Sequence, residues 1–322
     1  AAIAGGAALS LASAKTPAKA QATRTSARIV IIGAGAAGTA LVNRLVDRLE
    51  GAQITVIDPR PEHLYQPGLS LVAAGLKPQG YVISRTEDWL PSGITFVPDA
   101  VAVVDPEAKT VATQGGETHG YDWLVVAPGL VLDHDAIEGF SLDMVGENGI
   151  GALYAGPDYA ARTWQAAGRF TEEGGTGIFT RPATEMKCAG APIKHAFLID
   201  DIAQRAGNGG KANIIYAAPQ SSLFSVPIVH EKIRMLFQDR GFDRMMNRTL
   251  TAIDAGAKRA TFSTETGREE ADYDYIHVIP PQRAPEFVRQ SGLSWADKWT
   301  DQGWVECDMQ TLRHLRYPEI FA

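Results

Sequence analysis

The most constraining feature of the sequence is a β-branched apolar run that leads directly into a glycine-rich turn. Residues 28–32 read R-I-V-I-I, residues 33–38 read G-A-G-A-A-G, and residues 39–49 carry apolar side chains at helical spacing. This order predicts a strand, a tight turn and a helix, whose glycines let the backbone approach a pyrophosphate at the helix N-terminus. The turn therefore predicts a dinucleotide site that contains Gly33, Gly35, Ala36, Ala37 and Gly38.

An acidic residue follows at the spacing that such a site requires. The apolar run I-T-V-I-D, from Ile54 to Asp58, predicts a second strand, and Asp58 lies 20 positions after Gly38. At this spacing a carboxylate takes the ribose hydroxyls of a bound dinucleotide. We therefore add Asp58 and the adjacent Pro59 to the site, although the motif alone does not distinguish FAD from NAD.

A later segment favours FAD. Residues 121–129, Y-D-W-L-V-V-A-P-G, predict a strand that ends in a turn of small residues. Three short strands are predicted before it, within residues 94–113. The turn is similar to the second FAD motif of flavoproteins with two dinucleotide domains, although it could be only a turn after a core strand. Its position after the first glycine motif makes FAD the expected cofactor, bound in part by Ala127, Pro128 and Gly129.

A second α/β unit lacks the glycine motif. Thr176 to Thr180 and Ala212 to Ala217 predict strands, with a helix over residues 189–206 between them. Residues 181–184, R-P-A-T, follow the first of these strands where a nicotinamide site would require glycines. Proline removes a backbone donor, and side chains block the close approach of a phosphate. The fold unit is expected to remain while its nicotinamide site is lost.

Cys188 lies in the same segment, just before the predicted helix. The positive end of the helix dipole and the nearby Lys187 and Lys194 should favour its thiolate, whereas Glu185 opposes this effect. A buried structural cysteine is the alternative, but the position of Cys188 in this loop favours a redox role. Cys307, the other cysteine, is interpreted as structural.

Composition and charge exclude several classes of protein. A formal net charge of −7 and no run of basic residues argue against nucleic-acid binding. Two cysteines cannot build a disulfide scaffold, and no spacing of His, Cys and carboxylates predicts a metal site. No segment approaches the roughly 20 apolar residues of a membrane-spanning helix.

The beginning of the chain predicts export. Residues 1–14 carry no charge, and Ala18-Lys19-Ala20 offers a signal cleavage site. We expect the remnant of an export signal and a linker over residues 1–26, although an alanine-rich disordered tail is the alternative. Export implies a periplasmic protein, and a flavoprotein would use the twin-arginine route.

Together with the motifs above, several stretches resemble the sulfide:quinone oxidoreductases, and the resemblance runs from Ala27 to the last residue. They are Y-Q-P-G-L-S-L-V-A-A-G-L from Tyr65, G-I-G-A-L-Y-A-G-P, K-C-A-G-A-P-I-K around Cys188, and W-V-E-C-D-M-Q-T-L-R-H-L-R-Y-P-E-I-F-A at the end. The flavoprotein subunit of flavocytochrome c sulfide dehydrogenase shares V-A-P-G and I-P-P-Q-R-A, so it is the nearest alternative.

The resemblance implies a flavin enzyme that oxidises hydrogen sulfide. In the family a reactive cysteine pair accepts sulfide as a persulfide, electrons pass to FAD, and a membrane quinone takes them up; in the alternative the acceptor is a c-type cytochrome. Cys188 corresponds to the cysteine nearest the flavin. Tyr65, Gln66 and Pro67 correspond to the loop that borders the flavin ring, and Lys187 and Lys194 lie in the same vicinity. A flavin-binding protein without turnover is a third possibility.

The resemblance also implies a fold class and a division of the chain. We expect an α/β protein with two Rossmann-like dinucleotide-binding domains, the second inserted in the first. Residues 27–145 form the first part of the FAD domain, residues 146–271 the second domain, and residues 272–322 the return to the FAD domain. The second family cysteine, much of the quinone pocket and the membrane-docking segment lie in a C-terminal part that this sequence is expected to lack.

Overall fold

The computed structural model describes residues 22–322, and it builds them around two five-stranded parallel sheets. The predicted export signal lies outside these residues, apart from the last part of the segment 1–26. Among residues 22–322 no helix has both the length and the apolar character needed to cross a membrane.

The first sheet has the strand Arg28–Ile32 at its centre, and all its strands run parallel. Ile29 and Ile31 face the helix Ala36–Arg48, whereas Val30 and Ile32 contact the opposite layer. Residues 29–32, I-V-I-I, are continuously apolar because both faces of this part of the strand are buried. In spatial order the strands are Ile320–Phe321, Trp123–Val126, Arg28–Ile32, Gln53–Ile57 and Thr95–Val97.

The second sheet repeats the order of four strands of the first, but its edge strand Ile150–Gly151 precedes the other four along the chain, whereas Ile320–Phe321 follows them. Gly175–Thr180 takes the central place that Arg28–Ile32 has in the first sheet, and every neighbouring pair is again parallel. The strands and the helix predicted in this region are confirmed, the helix as Ala191–Arg205. In spatial order the strands are Ile150–Gly151, Tyr275–His277, Gly175–Thr180, Ala212–Ala218 and Asp243–Met246.

A three-stranded antiparallel sheet accompanies each parallel sheet. The first contains two of the three strands predicted before the Ala-Pro-Gly turn, whereas the other, Thr95–Val97, belongs to the parallel sheet. The Asp105 side chain accepts the backbone N–H groups of Glu107 and Ala108 at a turn of this antiparallel sheet. Each antiparallel sheet packs against one face of its parallel sheet and closes that core. The strands are Val101–Asp105, Thr110–Thr113 and Thr118–Gly120 in the first, and Thr249–Asp254, Arg259–Thr264 and Gly267–Asp272 in the second.

Short elements complete the described chain. Thr23–Arg24 pairs with Leu49–Glu50, and Glu62–Leu64 pairs with Ile83–Arg85. The remaining α-helices are Leu69–Val72, Pro157–Glu173, Pro227–Arg240 and Glu286–Gln290. Single 3-10 turns lie at Gln66–Gly68, Gln79–Val82, Thr86–Trp89, His134–Ala136, Leu142–Met144, Leu153–Ala155 and Gly209–Lys211.

The chain crosses between the sheets at one antiparallel pair of short strands, Val131–Leu132 and Gln282–Arg283. Both crossings differ from the predicted boundaries at residues 145 and 272. Ile137 and Val145 already belong to the second core, whereas Ala284 belongs to the first. The chain therefore leaves the first sheet earlier, and returns later, than the sequence suggested.

The start of the segment 272–322, which was predicted to return the chain to the first domain, is the clearest correction. Tyr275–His277 pairs with Gly175–Thr180 and with Ile150–Gly151, so it belongs to the second sheet. Its residues are fully buried, as expected for an inner strand of a parallel sheet. The same apolar pattern would suit either sheet, so the sequence could not choose between them.

A buried hydrogen bond fixes this strand to the helix Ala191–Arg205. The Tyr275 hydroxyl and His195 Nε2 lie 2.8 Å apart, and both side chains are completely buried. Replacing Tyr275 by Phe should lower the free energy of unfolding by about 1–3 kcal/mol, because the imidazole nitrogen loses its partner. Urea unfolding measures the change.

Tyr273 provides the matched control for that measurement. Its hydroxyl is buried and has no hydrogen-bond partner among residues 22–322. Tyr273→Phe should therefore be neutral or slightly stabilising. Equal losses in the two variants would contradict the placement of Tyr275 opposite His195.

Candidate functional site

Two glycines of the glycine turn, residues 33–38, lie very close to neighbouring backbone atoms. Gly33 has a φ of +102°, and a Cβ added there would lie 2.2 Å from the Ala127 carbonyl oxygen. A Cβ on Gly38 would lie 1.8 Å from the Gly33 carbonyl oxygen. The two positions exclude any side chain, so they shape the turn and seat it against the Ala-Pro-Gly segment.

Gly35 differs, because nothing in the protein requires a glycine there. Its φ of −72° suits any residue, and an added Cβ would meet only the Arg60 guanidinium, at 3.7 Å. The helix that follows has no side-chain cap and no acid in its first turn, and Ala36 and Ala37 are exposed. This opening at a helix N-terminus suits a phosphate group.

The Asp58 carboxylate already accepts hydrogen bonds from other groups of the protein. It accepts the backbone N–H of Ala34 at 2.7 Å, the Arg60 backbone N–H at 2.9 Å, and the Arg60 side chain at 3.0 and 2.7 Å. Burial opposes its ionisation, but these hydrogen bonds outweigh burial and hold the Asp58 pKa below its usual value. A carboxylate has about four acceptor positions. Asp58 can take ribose hydroxyls, as predicted, only if Arg60 moves.

A cleft of about 460 Å³ opens beside the glycine turn. This volume lies within the usual range of small-molecule sites, roughly 300–1,000 Å³. Four residues predicted for the cofactor line it, together with Arg60, Val101 and Phe287, which the sequence did not single out. The predicted residues in the lining are Gly33, Asp58, Pro59 and Pro128.

The Ala-Pro-Gly segment lies directly against the glycine turn. Ala127 donates its backbone N–H to Ile32 at 2.8 Å, and its carbonyl oxygen occupies the space that Gly33 leaves free. Gly129 has a φ of +78°, which favours glycine. The two motifs recognised separately in the sequence therefore form one continuous wall.

Residues 181–190, which we call the redox loop, replace a glycine turn in the second sheet. The loop leaves the central strand Gly175–Thr180 as the glycine turn leaves Arg28–Ile32, and it ends at the helix Ala191–Arg205. It contains Pro182 and Cys188 in place of the glycine motif. The chain geometry thus places a thiol where the first sheet presents its glycine turn.

Cys188 is exposed and has a strained backbone. Its φ of +52° lies in the left-handed region, which costs a residue other than glycine about 1 kcal/mol or more. Its carbonyl oxygen accepts the backbone N–H of Ala191 at 2.9 Å and the Tyr154 hydroxyl at 2.8 Å. These two bonds hold the strained residue in place.

Lys187 connects the redox loop to the crossover strand. Its backbone N–H donates to the Gln282 side-chain oxygen at 2.9 Å, and the Gln282 backbone N–H donates to Thr184. Its ammonium lies over the Tyr154 ring, 5.8 Å from the centroid. Burial, aided by the positive charge of Arg60, lowers the pKa of Lys187 to about 8.

The loop predicted to border the flavin ring touches the helix that follows Cys188. Lys194 donates from Nζ to the Pro67 carbonyl oxygen at 3.3 Å, and Gln66 and Pro67 form a single 3-10 turn. Tyr65 is exposed and stands edge-on to Tyr81, 6.1 Å away. Of the predicted vicinity residues, Pro67 and Lys194 are thus in direct contact.

Within residues 22–322, neither His195 nor Cys307 forms a hydrogen bond with the redox loop. His195 is fully buried beside Tyr275, and burial lowers its pKa to about 3. Burial raises the pKa of Cys307, which disfavours its thiolate, and Glu185 is exposed. Within residues 22–322 no group of three or more His, Cys, Asp or Glu side chains could hold a metal ion.

Three residues of this region were missed by the sequence analysis: Arg60, Tyr154 and Gln282. Tyr154 and Gln282 lie in stretches that carry the family resemblance, so their presence was noticed but their contacts were not. Both reach the redox loop from distant parts of the chain, across 34 residues for Tyr154 and 95 for Gln282. No local spacing in the sequence could have indicated these hydrogen bonds.

Comparison with known proteins assigns the fold. Residues 27–170 match the family model described as pyridine nucleotide-disulphide oxidoreductase. The paired parallel sheets, the glycine turn and the cleft define an FAD/NAD(P)-binding fold of this type, so the predicted fold class is confirmed. The resemblance to the sulfide:quinone oxidoreductases is confirmed as well, by two curated relatives, and a solved structure shares the fold.

The chain is 32% identical to the mitochondrial sulfide:quinone oxidoreductase of Dictyostelium discoideum and 29% identical to that of Mus musculus. The alignments cover 92% and 91% of this chain and 64% of each relative. The crystal structure of the Aquifex aeolicus sulfide:quinone oxidoreductase shares the fold with a TM-score of 0.75 and 21% identity, covering 92% of this chain and 67% of that one. The chain therefore spans slightly less than two thirds of these curated relatives.

The two glycines predict different consequences of adding a methyl group. Gly35→Ala should leave the thermal unfolding temperature of the cofactor-free protein nearly unchanged. It should weaken FAD binding by about tenfold or more, because the added methyl group occupies the space through which a phosphate would approach.

Gly38→Ala should lower the free energy of unfolding by about 3 kcal/mol or more, because the added methyl group clashes with the backbone. Calorimetry and FAD fluorescence quenching separate the two effects. Unchanged FAD affinity in Gly35→Ala would contradict the prediction that this turn binds a phosphate.

Proposed function

We propose that this protein is a flavin-dependent oxidoreductase that takes two electrons from sulfide through Cys188 and passes them to a membrane quinone. The observation that carries the proposal is the redox loop. It leaves the strand that corresponds to Arg28–Ile32, yet it presents an exposed cysteine instead of a glycine turn. The relatives named as sulfide:quinone oxidoreductases support the same assignment.

FAD is the cofactor that the first sheet would hold. The glycine turn would receive its pyrophosphate, and the cleft beside Asp58, Pro59 and Pro128 would receive its nucleotide end. When bound, FAD supplies a two-electron acceptor. The chain supplies the remaining functions, which are to bind sulfide, to present a thiolate and to hold the redox loop against the first half.

Positive charge on the redox loop suits an anionic substrate. Lys187 and Lys194 flank Cys188 along the chain, and the helix Ala191–Arg205 begins without an acidic residue in its first turn. Hydrosulfide is an anion, so these charges would raise its local concentration around the thiol. Joining hydrosulfide to the Cys188 thiol forms an S–S bond and releases two electrons and, with the persulfide left as an anion, two protons, so the reaction needs the two-electron acceptor that bound FAD would supply.

The electron donor is not expected to be NADH or NADPH. Residues 181–184 occupy the position of a second phosphate turn, and buried Pro182 lacks a backbone N–H. Side chains around it prevent the close backbone approach that a pyrophosphate requires. A donor that reacts directly with the thiol fits this loop better.

Anaerobic titration with sulfide tests the assignment. Sulfide should bleach the visible absorbance of the flavin-loaded protein, and Cys188→Ala should slow this bleaching by roughly a hundredfold or more, because the entry point for electrons is lost. Cys307→Ala is the control and should bleach normally. Bleaching by NADH but not by sulfide would refute the proposal.

Reoxidation identifies the electron acceptor in the same samples. A soluble quinone should restore the absorbance of the sulfide-reduced protein. Restoration by a c-type cytochrome but not by quinone would favour the flavocytochrome alternative.

The hydroxyl of Tyr154 should matter for the position of Cys188. Tyr154→Phe removes the hydrogen bond to the Cys188 carbonyl oxygen, worth about 1 kcal/mol, so bleaching should slow about fivefold. FAD affinity should not change, and alkylation of Cys188 should become faster as the loop loosens. Tyr159→Phe is the control, because the Tyr159 hydroxyl has no hydrogen bond within residues 22–322. Unaltered alkylation and bleaching in Tyr154→Phe would exclude a positioning role.

A further inference from the structure

Two polar side chains at the carboxyl end of the second parallel sheet lack hydrogen-bond partners. They are Arg181, which directly follows the central strand Gly175–Thr180, and Tyr216, near the end of the neighbouring strand Ala212–Ala218. Tyr216 is completely buried, and in the described part of the chain neither its hydroxyl nor the buried Arg181 Nε has a partner. Buried polar groups are nearly always paired, so each of these groups requires an explanation.

The register of the sheet puts the two side chains on the same face. Phe179 lies opposite Tyr216 in the parallel strand pair, and side chains alternate between the faces of a strand, so Arg181 shares the face of Tyr216. The Arg181 backbone N–H extends this pairing, because it donates to the Ala217 carbonyl oxygen at 3.0 Å. Burial raises the pKa of Tyr216 to about 12, and the adjacent Arg181 side chain opposes the rise. The guanidinium and the phenol are therefore neighbours.

The charge of Arg181 is not balanced by the protein. No carboxylate of residues 22–322 forms an ion pair with it, although its Nε is shielded from water. A guanidinium carries a permanent charge, and its planar fork of N–H donors matches the geometry of oxyanions. A cation withdrawn from water is costly unless an anion joins it. The pair of Arg181 and Tyr216 thus offers a positive charge and hydrogen-bond donors to an anionic ligand.

The pair also lies where proteins with parallel sheets bind their ligands. Such ligands bind outside the carboxyl ends of the strands, and the pair lies at that end of the central strand. The redox loop begins at Arg181 and ends at the helix Ala191–Arg205, which packs in the same core as Tyr216. Arg181 is partly exposed, so an anion can reach the pair from solvent.

Tyr154 connects this position to the thiol-bearing end of the loop. Its hydroxyl donates to the Cys188 carbonyl oxygen at 2.8 Å. Burial raises the pKa of Tyr154, the neighbouring Cys188 adds to the rise, and the charge of Arg181 opposes it. An anion held by Arg181 would therefore lie close to the groups that position Cys188.

We propose that Arg181 and Tyr216 form a binding site for a small oxyanion, of about the size of sulfate, where the redox loop leaves the second sheet. The guanidinium supplies the charge, and the Tyr216 hydroxyl donates to a second oxygen atom of the ligand. The inference does not depend on the proposed function, because it rests on unpaired groups of the second sheet alone.

Titration calorimetry with sodium sulfate tests the site. It is made at constant ionic strength and with FAD present, so that the glycine turn of the first sheet is not the site measured. Arg181→Met should weaken sulfate binding roughly tenfold to a hundredfold, the effect of losing charge-assisted hydrogen bonds. Tyr216→Phe should weaken it about fivefold, because one neutral donor is lost.

Two further variants serve as controls. Arg268→Met should bind sulfate as the unaltered protein does, because Arg268 is exposed on the strand Gly267–Asp272 and its loss changes the net charge equally. Arg181→Lys keeps the charge but loses the fork of donors, so its sulfate affinity should fall between those of Arg181→Met and the unaltered protein. If Arg181→Met does not fold, Arg181→Lys and Tyr216→Phe carry the comparison.

The thiolate of Cys188 is the other anion that could pair with Arg181. In that case Arg181→Met would raise the pH at which iodoacetamide alkylates Cys188, and Cys188→Ala would bind sulfate more tightly than the unaltered protein because Arg181 is freed. That result would overturn the inference. A site for an external oxyanion predicts equal sulfate affinity in Cys188→Ala and the unaltered protein.

The outcomes separate this inference from the proposed function. Equal sulfate affinity in Arg181→Met and Arg268→Met, or no saturable sulfate binding by the unaltered protein, overturns the oxyanion site and leaves sulfide oxidation intact. Loss of sulfate binding in Arg181→Met, in a protein whose flavin sulfide does not reduce, sustains the oxyanion site and overturns the function.

Discussion

The hydrogen bonds of Gln282 determine how the two halves of the molecule meet. Gln282 lies on the short strand by which the chain returns to the first sheet, and it binds the redox loop at Thr184 and at Lys187. Because the residue is completely buried, these bonds are not exchanged with water. The crossover thereby anchors the thiol-bearing loop of the second sheet to the strand that returns the chain to the first.

The two parallel sheets have similar topologies but carry different turns after their central strands. Each has a central strand followed by a turn and a helix, and the two sheets share the order of four strands and differ in where the edge strand comes from along the chain. In the first sheet Gly33 and Gly38 bring the backbone so close that a side chain is impossible. In the second, the redox loop is longer and carries side chains in the corresponding place, so one repeat suits a phosphate and the other suits a reactive group. This difference favours electron entry from a small nucleophile over entry from a second nucleotide.

Local sequence patterns predicted the parts of this structure that depend on neighbouring residues. The strand Arg28–Ile32, the turn after it and the helix Ala191–Arg205 appear where periodicity, glycine and proline placed them. The sheet to which Tyr275–His277 belongs could not be predicted in this way, because a buried strand carries the same apolar pattern in either core. The hydrogen bonds that Arg60 donates to the Asp58 carboxylate could not be predicted from the sequence either, since spacing identifies a carboxylate but not the donors that surround it.

Two adjacent residues of the redox loop combine a strained backbone with a partly buried charge. Cys188 adopts a left-handed backbone, and the adjacent Lys187 keeps a positive charge with no anion from the described chain. Neither feature contributes stability by itself, and each is held by groups from elsewhere, Tyr154 for the first and Gln282 for the second. Because both groups come from distant parts of the chain, the position of the exposed Cys188 thiol depends on how Tyr154 and the crossover strand pack against the loop.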